Sequence, residues 1–402
     1  MNKLTENRPR RFKKEKRMLK PNPFTPKSGL EPKAFINREE EINFYFKRVN
    51  EAIHGNINHY IINGAWGSGK TSLLRYFKLL AQGQDCSGCY FIARELTENI
   101  SDMEITAHII QSIVRNIPYK LAKKNSKLLK LIDAFGIQIL GSGFNISFQI
   151  DKDKYIDPQI FLADGLLNIW RDISKHTNLL VVLIDDVQNY SKAKRIFTLL
   201  KNVLSDKRII DETKILFILS STIEGWKPFI QINHPIGRFF IPRMELSNFD
   251  REKTIKLLDE VLKDTGVAFT DSVLEKIFKY TEGHLFQTHS LGSALYDNQK
   301  NGMVTDGEWD KGLEEAMFYL GNTVYEGIAE GISDNEIKII RALNLFGNNK
   351  LNGISRKVKI SGINVYLRRL VDKGILRSLR RGEYEFNDKM LGLYLQNNRN
   401  NK

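Results

Sequence analysis

The sequence predicts an α/β fold: a parallel β-sheet with helices on both faces, followed by a helical segment and a small basic module at the C-terminus. Three observations carry that prediction. Short apolar strands alternate with amphipathic helices from about residue 59 to 246. The stretch "GAWGSGKT" (64–71) lies between one such strand and its helix, and the apolar run "LLVVLI" (179–184) ends in two aspartates. Alternation of this kind needs crossover connections, and hence a sheet covered on both sides.

The first 33 residues hold 11 Lys/Arg against 3 Asp/Glu and five of the ten prolines. With so little apolar surface to offset the entropy of ordering, residues 1–33 are expected to form a basic flexible arm. Folded structure is expected to start at "AFINREEEINFYFKRV", where Asn37 followed by Glu40 matches a capping box and Ile42, Phe46 and Val49 share one helical face. A strand over 59–63 then leads into the glycine-rich stretch. A helix from 69 to about 81 follows, with Leu73, Leu74, Phe77, Leu80 and Ala81 as its buried stripe. A strand over 89–96, a helix over about 102–117, a strand over 179–184, a helix over about 192–204 and a strand over 215–219 complete the alternation. Residues 118–156 interrupt it, and Gly136, Gly141 and Gly143 mark them as a hairpin insertion. After 239–246 the pattern turns helical to about 320, which divides the chain into a core at 34–246, a lid at 247–331 and a basic module at 332–402.

Net charge is +14, distributed as +8 over 1–33, −3 over 34–331 and +9 over 332–402. Two cationic ends point to a polyanion partner, the plain alternative for the arm being a solubilising tail. With two cysteines, no apolar run long enough to span a membrane and no signal-type N-terminus, a reduced, cytoplasmic protein is expected. Cys86 and Cys89 supply only half a zinc site and are read as loop cysteines.

The pattern G-x-x-x-x-G-K-[ST] between a strand and a helix is what a phosphate cradle requires: main-chain N–H groups that converge on oxygens and a helix whose positive end faces them. Gly64, Ala65, Trp66, Gly67, Ser68, Gly69, Lys70, Thr71 and Ser72 are the candidate nucleotide-binding residues. Lys70 would reach the β and γ phosphates and the Thr71 hydroxyl would ligate Mg2+. The metal needs a carboxylate opposite Thr71, at the end of a neighbouring buried strand, and Asp185 meets that need; Asp186 is the candidate for polarising the attacking water. Ser220, Ser221 and Thr222 end the next strand with hydroxyls that could meet the γ-phosphate or the water; Ser221 is carried forward, the other two staying open. Arg238 and, as a second choice, Arg243 are candidates for stabilising transferred-phosphoryl charge, against the alternative of a surface ion pair.

Together "AFINREEEI", "GAWGSGKT", "LIDDVQ", "FILSST", "GRFFIPRMEL" and "YTEGHLFQTHSLG" resemble the AAA+ ATPases, specifically the origin-recognition and helicase-loader branch and the related archaeal-type and STAND signalling ATPases. The resemblance implies an ATP- and Mg2+-dependent ATPase core followed by a helical lid. It places Phe35 to Arg38 beside the adenine, with Asn37 where Gly is usual. Asp186 stands where loaders have Glu, which implies slow hydrolysis, and His284 stands where many relatives have a sensor arginine.

Residues 332–397 read as helix, helix, turn at Gly362, helix and two short strands, and resemble the winged-helix domain of initiator ATPases. Between 351 and 381 there are nine basic residues and one acidic residue, Asp372. Asn364, Arg368, Arg369 and Lys373 on the second helix of the pair, with Arg377, Arg380 and Arg381 near the wing, are the candidate DNA contacts; packing on the core or on a protein is the alternative. The expected function is an ATP-driven switch on duplex DNA. The alternative is a STAND-type signalling ATPase that forms a homo-oligomer or engages a protein partner. A small-molecule kinase would explain the glycine-rich loop but neither the lid nor the basic module.

Overall fold

The computed structural model describes residues 20–26, 35–93, 101–117, 157–190, 196–232, 239–240 and 243–397. The chain forms two compact bodies. One consists of Pro26–Thr254 with Thr281–Thr288, the other of Met1–Thr25, Ile255–Tyr280 and His289–Lys402. The predicted insertion at 118–156 and Arg238 lie outside the described residues.

In the first body, helix α1 (Glu39–Ile53) precedes strand β1 (Tyr60–Gly64), helix α2 (Lys70–Gln82) and strand β2 (Ser87–Ile92). Helices α3 (Asp102–Asn116) and α4 (Pro158–Ile173) lead to strand β3 (Leu180–Asp185). Helices α5 (Ile196–Leu204) and α6 (Lys207–Glu212), strand β4 (Ile215–Ser221), helix α7 (Ile223–Ile232) and strand β5 (Arg243–Leu246) complete it. The five strands form one all-parallel sheet in the order β2-β3-β4-β1-β5.

Strand β3 is continuously apolar because each of its faces meets a different core. Leu180, Val182 and Ile184 join one apolar cluster, with α3, α4 and α5; Val181 and Leu183 join the other, with α1 and α2. On α2 the buried stripe is Leu73, Leu74, Phe77 and Ala81, each side chain contributing about 1.5–3 kcal/mol if fully withdrawn from water, Ala less. The α/β class read from the sequence is therefore observed. Helix α4 is absent from the predicted elements. It packs against α3, α5 and α6 and buries nine of its residues, while Asp164, Asn168, Arg171 and Asp172 keep a polar stripe at helical spacing, so the helical period is present in the sequence although the predicted elements pass over it.

In the second body, the chain from helix α8 (Arg251–Leu262) onward is mostly helical, but not wholly so: β6 (Ala268–Phe269) and β7 (Met303–Val304) pair in parallel. Helices α9 (Asp271–Thr281), α10 (Leu285–Asp297) and α11 (Asp306–Leu320) follow in turn. A π turn at Gly321–Tyr325 and the short helix α12 (Glu326–Glu330) lead into the C-terminal module. Residues 20–25, placed by sequence within the flexible arm, are packed onto this body. Phe24 is buried and lies 6.1 Å from the Phe269 ring, and Asn22 Nδ2 donates to Ser293 and to Asp297.

The C-terminal module contains α13 (Asp334–Ala342), β8 (Asn349–Lys350), α14 (Leu351–Lys357) and α15 (Ile363–Asp372). Strands β9 (Leu376–Arg380) and β10 (Glu383–Phe386) form with β8 a three-stranded sheet in the order β8-β10-β9, before helix α16 (Lys389–Asn397). Helix α15 ends at Asp372, so Lys373 caps it instead of belonging to it.

Candidate nucleotide site

Strand β1 delivers the chain to the carboxyl edge of the sheet, where it turns through residues 65–69 into α2. Gly67 (φ +75°) and Gly69 (φ +93°) take the left-handed conformation that a side chain opposes. Gly64 is required by space: a Cβ there would lie 2.5 Å from Ser68 Oγ. Gly69 is also the N-cap of α2 and has no side-chain oxygen to offer, so the first-turn N–H groups receive no side-chain cap. Lys70 Nζ donates to the carbonyls of Gly64 (3.0 Å) and Ala65 (2.9 Å). Burial lowers the Lys70 pKa, while the charges of Asp186, Asp185 and Glu224 pull it back up. Trp66 is about half exposed at the loop's crest, its ring 4.7 Å from that of Phe286.

Asp185, at the end of β3, is completely buried. Its carboxylate accepts from the Ser220 hydroxyl, from Tyr90 OH (3.0 Å) and from the Asp186 N–H (3.2 Å). Asp186 has φ +53°, and its carboxylate accepts from Gln188 Nε2 at 2.9 Å. Burial, and then the neighbouring Asp185 charge, raise the Asp186 pKa; the Gln188 bond and Lys70 act against them. Lys70, Asp185 and Asp186 thus share one electrostatic environment at the sheet's carboxyl edge.

The three strand-end hydroxyls diverge. Ser220 lies on the α2 side of the sheet with Ile218 and bonds Asp185, whereas Ser221 follows Leu219 onto the opposite side. There the Ser221 hydroxyl is buried without a hydrogen-bond partner, and Asn63 Oδ1, on the residue paired with it in register, is buried and unpartnered too. The Thr222 hydroxyl accepts from the Gly225 N–H at 3.0 Å. Arg243 is exposed on β5.

Of the segment ahead of the core, Phe35 stacks on Tyr76 at 4.5 Å. Asn37 has φ +59°, a conformation that Asn tolerates better than most residues, which accounts for its standing where Gly is usual. Arg38 Nη2 donates to the Ser68 carbonyl at 3.1 Å, and its guanidinium lies 4.6 Å from the centre of the Phe249 ring. Sequence reasoning missed Tyr90, Gln188 and Asn63. Tyr90 could have been reached from the alternation of β2, which turns every second residue toward α2; Gln188 carries no pattern of its own. Cys86 and Cys89 are both buried and free, burial pushing their thiols up to about 11 and about 12, and among the described residues no group of three or more His, Cys, Asp and Glu could hold a metal ion.

A triphosphate with Mg2+ fits these residues: helix α2 has no side-chain cap, two loop glycines are left-handed, one lysine is buried and two carboxylates stand at the neighbouring strand end. An all-parallel sheet in this order, with helices on both faces and this loop between β1 and α2, defines a P-loop NTPase fold of the AAA+ type. Residues 35–286, more than half of the chain, match the family of ATPase domains found predominantly in Archaea, and the chain belongs to that family. Among solved structures it is similar to a Walker-type ATPase of Pyrococcus abyssi (TM-score 0.58, 15% identity, covering 90% of this chain and 96% of that one). It is similar also to the ORC2 protein of Aeropyrum pernix in its ADPNP–ADP complexes (TM-score 0.59, 14% identity, 92% and 96% covered). At such identities the likeness is one of fold. No curated protein sequence matches the chain. No helix among the described residues is long and apolar enough to cross a membrane.

The candidate DNA residues divide into two groups. Lys373 Nζ bonds Glu336 at 2.8 Å, Arg377 bonds Glu385, and Arg380 Nε bonds Glu383 at 2.7 Å. Asn364, Arg368, Arg369 and Arg381 are exposed, with the Arg369 guanidinium 5.7 Å from the Tyr366 ring. A groove of about 590 Å³ lies nearby in sequence, lined by Lys338, Arg341, Ala342, Lys357, Val358, Lys359 and Ile360, four cations without an acid.

Proposed function

We propose that the chain binds Mg·ATP at the loop of residues 64–72, hydrolyses it slowly, and couples the bound state to duplex DNA held by its C-terminal module. The observation that carries the nucleotide reading is the convergence of Lys70, Asp185 and Asp186 beside a glycine-rich loop that enters an uncapped helix. The main-chain N–H groups of the loop would hold the phosphates and Lys70 would neutralise them. Thr71 and Asp185 would hold the metal, which when bound supplies charge neutralisation and polarises phosphate oxygens. Asp186, oriented by Gln188, accepts the proton of the attacking water; its raised pKa suits a base acting toward neutral pH. Asn63 and Ser221 offer two unsatisfied polar groups at the same sheet edge, where a water would find partners.

The C-terminal module has the helix, strand, helix, turn, helix and two-strand order of a winged helix, and its exposed Arg368, Arg369 and Arg381, with the cationic groove at Lys338, Arg341, Lys357 and Lys359, support nucleic-acid binding through phosphates. The similar fold of the Aeropyrum pernix ORC2 protein, solved in ADPNP–ADP complexes, agrees with a nucleotide at this site. The test combines ATP titration by calorimetry with binding to a duplex oligonucleotide at low and moderate salt. Retention of ATP and salt-sensitive DNA binding are expected; absence of DNA binding at low salt would end the DNA reading. The ion pairs that occupy Lys373, Arg377 and Arg380 favour a second reading, a signalling ATPase with a protein partner or a second copy of itself. Nucleotide-dependent assembly without DNA affinity would identify it.

A further inference from the structure

The glycine-rich loop is held through its carbonyls by three side chains. Each of its carbonyls at 64, 65, 66 and 68 meets a nitrogen: Lys70 Nζ bonds Gly64 and Ala65, Arg38 Nη2 bonds Ser68, and His284 Nε2 lies 2.7 Å from the Trp66 carbonyl. The Gln287 N–H donates to His284 Nδ1 at 3.5 Å, which makes Nδ1 the acceptor and leaves the proton on Nε2, so the imidazole donates to Trp66. In a trans peptide the carbonyl of one residue and the N–H of the next point in opposite directions. Fixing the Trp66 carbonyl therefore fixes the direction of the Gly67 N–H, at a residue whose φ of +75° and missing Cβ leave the backbone otherwise free to turn.

We infer that His284 is a positioning residue for phosphate binding: it aims the Gly67 N–H by holding the Trp66 carbonyl, and does not itself touch phosphate as a sensor arginine would. The segment that carries it is built for this. Gly283 is anchored by the Phe249 N–H, which donates to its carbonyl at 3.1 Å, and a Cβ on Gly283 would come within 1.8 Å of the Phe249 carbonyl oxygen. Phe286 packs on the Trp66 ring, and a Cβ on Gly67 would strike both His284 (2.7 Å) and Phe286 (2.8 Å). Leu285 closes over Gly69, its Cδ1 3.2 Å from where a Cβ would stand.

This inference rests on the nucleotide reading above and is separated from it by comparing two nucleotides. Mg·ATP and Mg·ADP are titrated by calorimetry into the wild type, His284→Ala and His284→Gln, with the unliganded melting temperature of each. Gly67 would serve a phosphate common to both nucleotides, so His284→Ala should weaken both by a similar factor, roughly five- to tenfold for one lost hydrogen bond. His284→Gln, whose amide can donate from a similar position, should recover most of it. Loss confined to ATP would overturn the inference in favour of direct γ-phosphate contact. Unchanged affinities in both variants, or a loss that Gln does not recover, would overturn it as well. A wild type that binds neither nucleotide would overturn the nucleotide reading and this inference together.

Discussion

Asp186 combines a strained backbone with a carboxylate whose proton affinity is raised. Its φ of +53° is one that Asp and Asn visit more readily than other residues with a side chain, so Asp186→Asn keeps the turn and removes only the charge. Mg·ATP affinity should change by less than about threefold while turnover falls roughly 100-fold or more, as for loss of a general base. Steady-state hydrolysis and calorimetry on the same preparation check it. The two aspartates were legible at this scale because an unbroken apolar run ending in acids, at the right distance from a glycine-rich loop, has few other uses. Tyr90 was legible only as a residue facing α2, and Arg38 only as part of the segment that the resemblance places beside the adenine; the oxygens they bond, on Asp185 and on Ser68, come from remote parts of the chain.

Among the elements, the most informative is the short return of the chain at 281–288, which leaves the helices before and after it to pack in the first body. Gly283 has φ +72° and no room for a methyl group against Phe249. Gly283→Ala should destabilise the protein by about 2–4 kcal/mol and weaken nucleotide binding in parallel; a thermal melt with and without Mg·ADP reads both. Sequence periodicity located β1, α2, β3 and β4 to within two residues, because these elements alternate in pattern or meet two cores. It passed over α4, although Asp164, Asn168, Arg171 and Asp172 mark a polar stripe there, and could not see β6 and β7, which are two residues each. Helix α10, read simply as part of a lid, begins at Leu285, inside the segment that grips the glycine-rich loop.

For the whole molecule, acid and salt are the two levers. His59 is buried, its Nδ1 accepts from the Phe217 N–H at 3.0 Å, and burial lowers its pKa to about 3 from an ordinary 6.5. A histidine depressed on folding contributes stability that is present above 6.5 and is lost as pH falls toward 3, at up to about 1.4 kcal/mol per pH unit. His59→Gln, which cannot take up a proton, should flatten the acid limb of a stability profile between pH 6.5 and 4, measured by urea unfolding. On DNA, Arg368→Ala, Arg369→Ala and Arg381→Ala combined should reduce the slope of log affinity against log salt by between about two and three, if each meets one phosphate. An unchanged slope would move the contacts elsewhere.

Phe24 gives the N-terminal stretch a fixed point. Its ring fills the space above Gly292, where a Cβ would come within 2.4 Å of it, and meets Phe269 and Tyr296. Whatever the eight Lys and Arg of residues 1–19 attract is therefore leashed to the second body and not to the core that carries the glycine-rich loop. A truncation begun after residue 26 to tidy the chain for study would unplug an aromatic socket and leave a sticky hole on the very part whose ligand is in question.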